Sequence, residues 1–129
     1  MYKLFLRIAA ISGAMAVMLG AFAAHALRDS ISDHSLATFE TGVRYQFYHT
    51  IALLITALIM RENNNQNIRL AAWFFIAGIV LFCFSLYFLA ILQATVSANY
   101  KWIGLITPIG GVAFISGWLF MLISVSKIR

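Results

Sequence analysis

Long apolar runs alternate with short polar breaks along this chain. Residues 8–24 carry no charge, and Leu4, Phe5 and Leu6 lengthen that run toward the amino terminus. Residues 70–92 and 103–125 are likewise uncharged throughout. At 1.5 Å rise per residue, each of the latter two gives a helix of about 35 Å, against a bilayer hydrocarbon core of about 30 Å. A fourth run, residues 51–60, is strongly apolar but too short to cross. Upstream of it Leu36, Phe39, Val43 and Phe47 recur at steps of three and four, which is helical spacing. Ser32 or Asp33 can cap the start of this segment. The pattern therefore predicts one helix over about 35–60, with an amphipathic approach at 35–50 that becomes membrane-embedded.

Four spans follow, at about 5–25, 41–60, 70–92 and 103–125, in a single transmembrane domain covering residues 1–129. The expected fold class is all-α, an integral membrane four-helix bundle. Composition agrees: 63% of residues are hydrophobic, 10% are charged, and mean hydropathy is +0.91. A soluble domain carries about 25% charged residues, and so short a chain has too little interior to hide this much apolar surface.

The first run has a rival reading. Lys3 and Arg7, an apolar stretch and then Ala24-His25-Ala26 resemble a secretory signal with a small-residue cleavage site. Ala9, Gly13, Ala16, Gly20 and Ala24, however, form a small-residue stripe of the kind that lets a neighbouring helix approach closely. The expectation is a retained span.

The net charge of +5 brings nucleic acid to mind, but the nine basic residues are scattered at the edges of apolar runs. No basic stripe with interleaved aromatics is present, so no nucleic-acid partner is expected. With four spans, Lys3, Arg7, Arg61, Arg69, Lys127 and Arg129 fall on one side, and Arg28, Arg44 and Lys101 on the other. The basic excess puts both termini and the polar hairpin 63–67 in the cytoplasm. Tyr100 and Trp102 fall where amphipathic rings favour the headgroup level.

Few polar residues sit at membrane depth, where ionisable groups are costly and face a bundle interior or a cavity. Those that need a reason are His25, Glu40, Arg44, Gln46, His49, Ser85 and Tyr87. Glu40 and Arg44 lie four apart with the acid first, the favourable order for a pair on one helix face. His25 ends the first span level with residues 40–44, so Glu40 is its expected partner. His49 lies about 12 Å deeper than Thr41 at helical rise, too far from His25 for one metal ion. Depth counting brings Ser85 and Tyr87 to the level of Tyr45 and Gln46. Pro108 opposes the carbonyl of Gly104 and predicts a kink, with Thr107 returning a hydrogen bond to the freed backbone. Gly13, Gly20, Gly110 and Gly111 suit close helix packing. Cys83 reads as an inert core residue. No catalytic constellation, phosphate loop or metal-ligand spacing occurs, so no catalytic residue, metal or cofactor is expected.

Three motifs carry a resemblance. They are Gly20-Ala21-Phe22-Ala23-Ala24-His25-Ala26-Leu27, then Phe39-Glu40-Thr41-Gly42-Val43-Arg44-Tyr45-Gln46-Phe47-Tyr48-His49, then Thr107-Pro108-Ile109-Gly110-Gly111. In this order they resemble the YgdD-like family of small bacterial inner-membrane proteins. The chain departs from that family at Phe84-Ser85-Leu86-Tyr87, where a glycine is usual. The resemblance implies a four-span protein of a domain-of-unknown-function family and carries over no catalytic residue. The functional expectation is a non-enzymatic structural or binding module that packs against lipid, a second copy or another membrane protein. The alternative is a small transporter or channel subunit using a polar site near Arg44, Gln46 and His49.

Overall fold

The computed structural model describes residues 1–95 and 101–126. The expectations for Tyr100, Lys127 and Arg129 lie outside these residues. Among the described residues there are four helices long and apolar enough to cross a membrane: α1 (Tyr2–Leu27), α2 (Asp33–Glu62), α3 (Gln66–Thr95) and α4 (Lys101–Val125). The protein is an all-α membrane helical bundle.

Two caps fix the helix starts. The Ser32 hydroxyl accepts the Ser35 backbone N–H at 3.2 Å and opens α2. The Asn65 side chain accepts the Ile68 N–H at 3.0 Å and opens α3. Each satisfies a backbone donor that helix geometry leaves without a partner.

The order of packing follows the chain: α1 lies on α2, α2 on α3, and α3 on α4. The central pair is consequently the better buried. Phe39, Leu53, Ala57 and Met60 of α2 face Ile68, Phe75 and Cys83 of α3 in the core. The outer pair shows most of its apolar surface to the surroundings, as expected where the solvent is lipid rather than water.

Two five-residue π turns interrupt the α-helical ladder, at Ala23–Leu27 in α1 and at Ile79–Cys83 in α3. Such turns re-aim the side chains that follow and leave carbonyls available to other donors. Helix α4 breaks at Leu105, between Lys101–Gly104 and Ile106–Val125. Pro108 thus stands in the first turn after the break, where a missing N–H costs no helical bond.

Candidate functional site: polar seams between the helices

Gln46 sits at the centre of the molecule, 1% exposed. Its Nε2 donates to the Ser12 carbonyl of α1 at 3.0 Å, and its Oε1 accepts from the Tyr87 hydroxyl of α3 at 2.7 Å. One turn along α2, the Thr50 hydroxyl bonds the Ser12 hydroxyl at 2.7 Å. A single amide therefore ties three helices together. Gly42 makes room for this. A Cβ there would meet Tyr87 Cε1 at 2.6 Å, so only glycine lets the Tyr87 ring lie flat against α2.

His49 occupies a second seam, between α2 and α4. Its Nδ1 lies 2.8 Å from the Tyr45 carbonyl, and the Trp118 indole N–H reaches its Nε2 at 3.3 Å. A carbonyl only accepts and an indole N–H only donates. The two partners thus fix the ring as the neutral tautomer with its proton on Nδ1. The imidazole stacks on Phe114 with centroids 3.4 Å apart and planes 12° from parallel, and Phe75 and Trp118 close the box. Both ring nitrogens are engaged, so neither is open to a ligand.

Two smaller seams join α3 to α4. Ser85 donates to the Phe82 carbonyl at 2.8 Å, within the region the π turn loosens, and bonds the Thr107 hydroxyl at 2.7 Å. At the hairpin end, Asn65 Nδ2 donates to Ser124 Oγ at 2.8 Å, and Ser124 Oγ reaches Asn65 Oδ1 at 3.2 Å. Every buried side-chain nitrogen or oxygen among the described residues has a hydrogen-bond partner.

Several expected pairings are corrected by this geometry. His25 is exposed and Glu40 half-buried, and no hydrogen bond or ion pair joins them. Ala23 and Leu27, four residues apart, face inward, and His25, two residues from each, lies on the opposite face. Arg44 does not pair with Glu40 either; its Nη2 donates to Thr41 Oγ1 at 3.1 Å on the outer face of α2. It is thereby separated from Gln46 and His49, with which the sequence groups it. Thr107 turns away from its own backbone to Ser85. The glycines divide as well. A Cβ on Gly13 would meet Thr50 at 3.5 Å and one on Gly20 would meet Val43 at 3.4 Å, both ordinary contacts. Gly110 lies against the backbone of Phe82 with no space for a Cβ, whereas Gly111 keeps 3.9 Å to that side chain.

Sequence reasoning passed over Ser12, Thr50, Trp118, Asn65 and Ser124 as members of these seams. A usable signal exists for Trp118, since an indole inside an apolar span carries a donor that must find an acceptor. Ser12 and Thr50 carry no comparable mark, because each can bond its own helix.

Helices that cross the membrane, joined by satisfied polar seams, define a compact polytopic membrane protein with its polar groups turned inward. The family model described as protein of unknown function (DUF423) matches residues 19–111, and the chain belongs to that family. It is similar to a UPF0382 membrane protein of Staphylococcus aureus (bovine strain RF122), 44% identical over 97% of both chains. It is also similar to the UPF0382 membrane protein YwdK of Bacillus subtilis, 39% identical over 97% of this chain and 98% of that one. No solved structure matches it.

Proposed function

We propose that this protein is a non-enzymatic structural and binding module of the bacterial inner membrane. It holds a fixed arrangement of helices and packs through its outer pair against lipid, a second copy or another membrane protein. One observation carries the reading: the buried polar groups are spent on each other, among the described residues without a buried side-chain donor or acceptor left over. A permeation path or catalytic centre needs groups that are free to change partners. The alternative of a transporter site at Arg44, Gln46 and His49 loses its basis because Arg44 faces outward. The three motifs further support a place among the YgdD-like proteins.

The test is thermal stability in nanodiscs. Gln46→Ala and His49→Ala each strand former partners in a low-dielectric interior, at a cost of about 1–3 kcal/mol. Both should lower the melting temperature; unchanged or raised values in both would turn the reading toward a ligand or proton site.

The basic excess on the side of residues 63–67 supports cytoplasmic termini. In intact cells, a cysteine introduced as Asn65→Cys should resist an impermeant thiol reagent and react after permeabilisation. Labelling in intact cells reverses the orientation. The native Cys83 is buried and gives no background.

A further inference from the structure

Helices α1 and α3 do not close against each other along their length. Between them runs a groove of about 180 Å³, walled by Ile8, Ile11 and Met15 on one side and Ile76, Val80 and Phe84 on the other. Ser12 and Gln46 form its floor, and their polar atoms are already bonded to each other. The lining therefore offers an occupant dispersion contacts and no free polar partner. That suits a hydrocarbon chain and excludes a polar solute.

The charges at one end of the groove narrow the choice. Arg7 lies one helical turn before Ile11 on α1, and Arg69 lies one turn before Trp73 and two before Ile76 on α3. Both thus continue the two walls toward the same side of the membrane. Neither guanidinium has a hydrogen bond or ion pair with the protein among the described residues. Phe5 and Trp73 pack edge to face at 5.4 Å and join the walls between the level of Arg69, further out, and that of Arg7, at the mouth of the groove. From Arg7 to Met15 is about 12 Å at helical rise, close to half of a ~30 Å hydrocarbon core. The groove is therefore one leaflet deep, with Arg7 at its mouth and Arg69 about 9 Å further out on the same side.

We propose that this groove is a binding site for an anionic phospholipid, one acyl chain lying between α1 and α3 and the phosphate held by Arg7 and Arg69. Basic pockets between spanning helices bind such headgroups through charge, while the chain contributes area-dependent packing. The inference rests on the reading of the protein as a membrane binding module and names what one of its faces binds.

Native mass spectrometry of the full chain, exchanged into detergent with phosphatidylglycerol or phosphatidylcholine, tests it. Wild type should retain one phosphatidylglycerol and far less phosphatidylcholine. Arg7→Gln and Arg69→Gln should each weaken phosphatidylglycerol retention about fivefold, the worth of one basic residue near an anionic surface. Ile11→Trp fills the groove from a position that is 62% exposed, so it can fold normally while losing both lipids. Equal retention of the two lipids by wild type, or full retention by Ile11→Trp, overturns the proposal. If lipid retention fails while Gln46→Ala and His49→Ala still lower the melting temperature, the groove assignment falls and the scaffold reading stands. If those variants are also neutral, both fall.

Discussion

Helices α1 and α4 are both outer helices, yet they are fastened to the central pair in different ways. Toward α2, helix α1 presents small residues and hydrogen bonds. Ala9 and Ala16 are buried, Gly13 and Gly20 leave ordinary contact distances, and Ser12 bonds both Gln46 and Thr50. Toward α3, helix α4 adds a fit by shape to the hydrogen bonds of Thr107 and Ser124. Phe114 occupies the place where Gly78 would carry a Cβ, Phe75 lies where Gly117 would, and Gly110 meets the Phe82 backbone. The contrast follows from the solvent. Lipid tails are as apolar as leucine, so spanning helices gain nothing by hiding apolar surface from them. Association then rests on close packing or on interhelical hydrogen bonds. This small protein uses small residues and hydrogen bonds at the α1 edge, and at the α4 edge adds to its hydrogen bonds a close fit of glycines against rings and backbone.

The comparison breaks most sharply at a glycine. A methyl at Gly110 runs into the main-chain nitrogen and Cα of Phe82, which cannot rotate aside as a side chain would. Gly110→Ala should therefore force α4 away from α3 and cost about 1–3 kcal/mol, the range for overpacking a close-fitted interior. The matching change on the other edge, Gly13→Ala, meets only Thr50 Cγ2 at 3.5 Å and should be close to neutral. Unfolding of the two variants in the same lipid reads the difference directly. Equal losses would mean that both edges are fitted by shape.

This division also explains what was legible in the sequence. Apolar runs and their polar breaks give four helices, because run length against bilayer thickness is a constraint in one dimension. Depth counting likewise brings Tyr87 to Gln46, since straight helices keep level. What a level does not give is direction around the helix axis. His25 and Glu40 share a depth, but His25 lies two residues from both of the inward-facing Ala23 and Leu27 and so faces outward. Arg44 lies two residues from Gln46, about 200° around a helix, which puts it on the outer face. Gly110 and Gly111 look alike in the sequence, yet only Gly110 faces Phe82 closely.

A smaller loss is expected where the two devices meet. Trp118 is half exposed, but its indole N–H is the donor to His49 Nε2. Trp118→Phe keeps the ring near Phe75 and removes only that donor. An acceptor left without its partner in this setting costs about 1 kcal/mol. If stability falls by that amount in wild type and by nothing in a His49→Phe background, the bond carries the effect. An equal fall in both backgrounds assigns it to lost ring packing.

The smallest effect belongs to the hydroxyl pair of Ser12 and Thr50, 2.7 Å apart between α1 and α2. Each hydroxyl has an alternative in the carbonyl four residues back on its own helix, so losing the partner does not strand it. Side-chain hydrogen bonds between spanning helices average about 0.6 kcal/mol in double-mutant cycles for the same reason: the separated state finds other partners. Ser12→Ala and Thr50→Val should therefore each cost little, and their coupling in a cycle should be about that size. Gln46 stays bonded to the Ser12 carbonyl throughout, since Ser12→Ala leaves the main chain in place. Coupling above about 1.5 kcal/mol would show that the pair, rather than the small-residue fit around it, holds α1 to the core. Coupling near zero with an intact fold would leave that attachment to Gln46 and the alanine and glycine contacts.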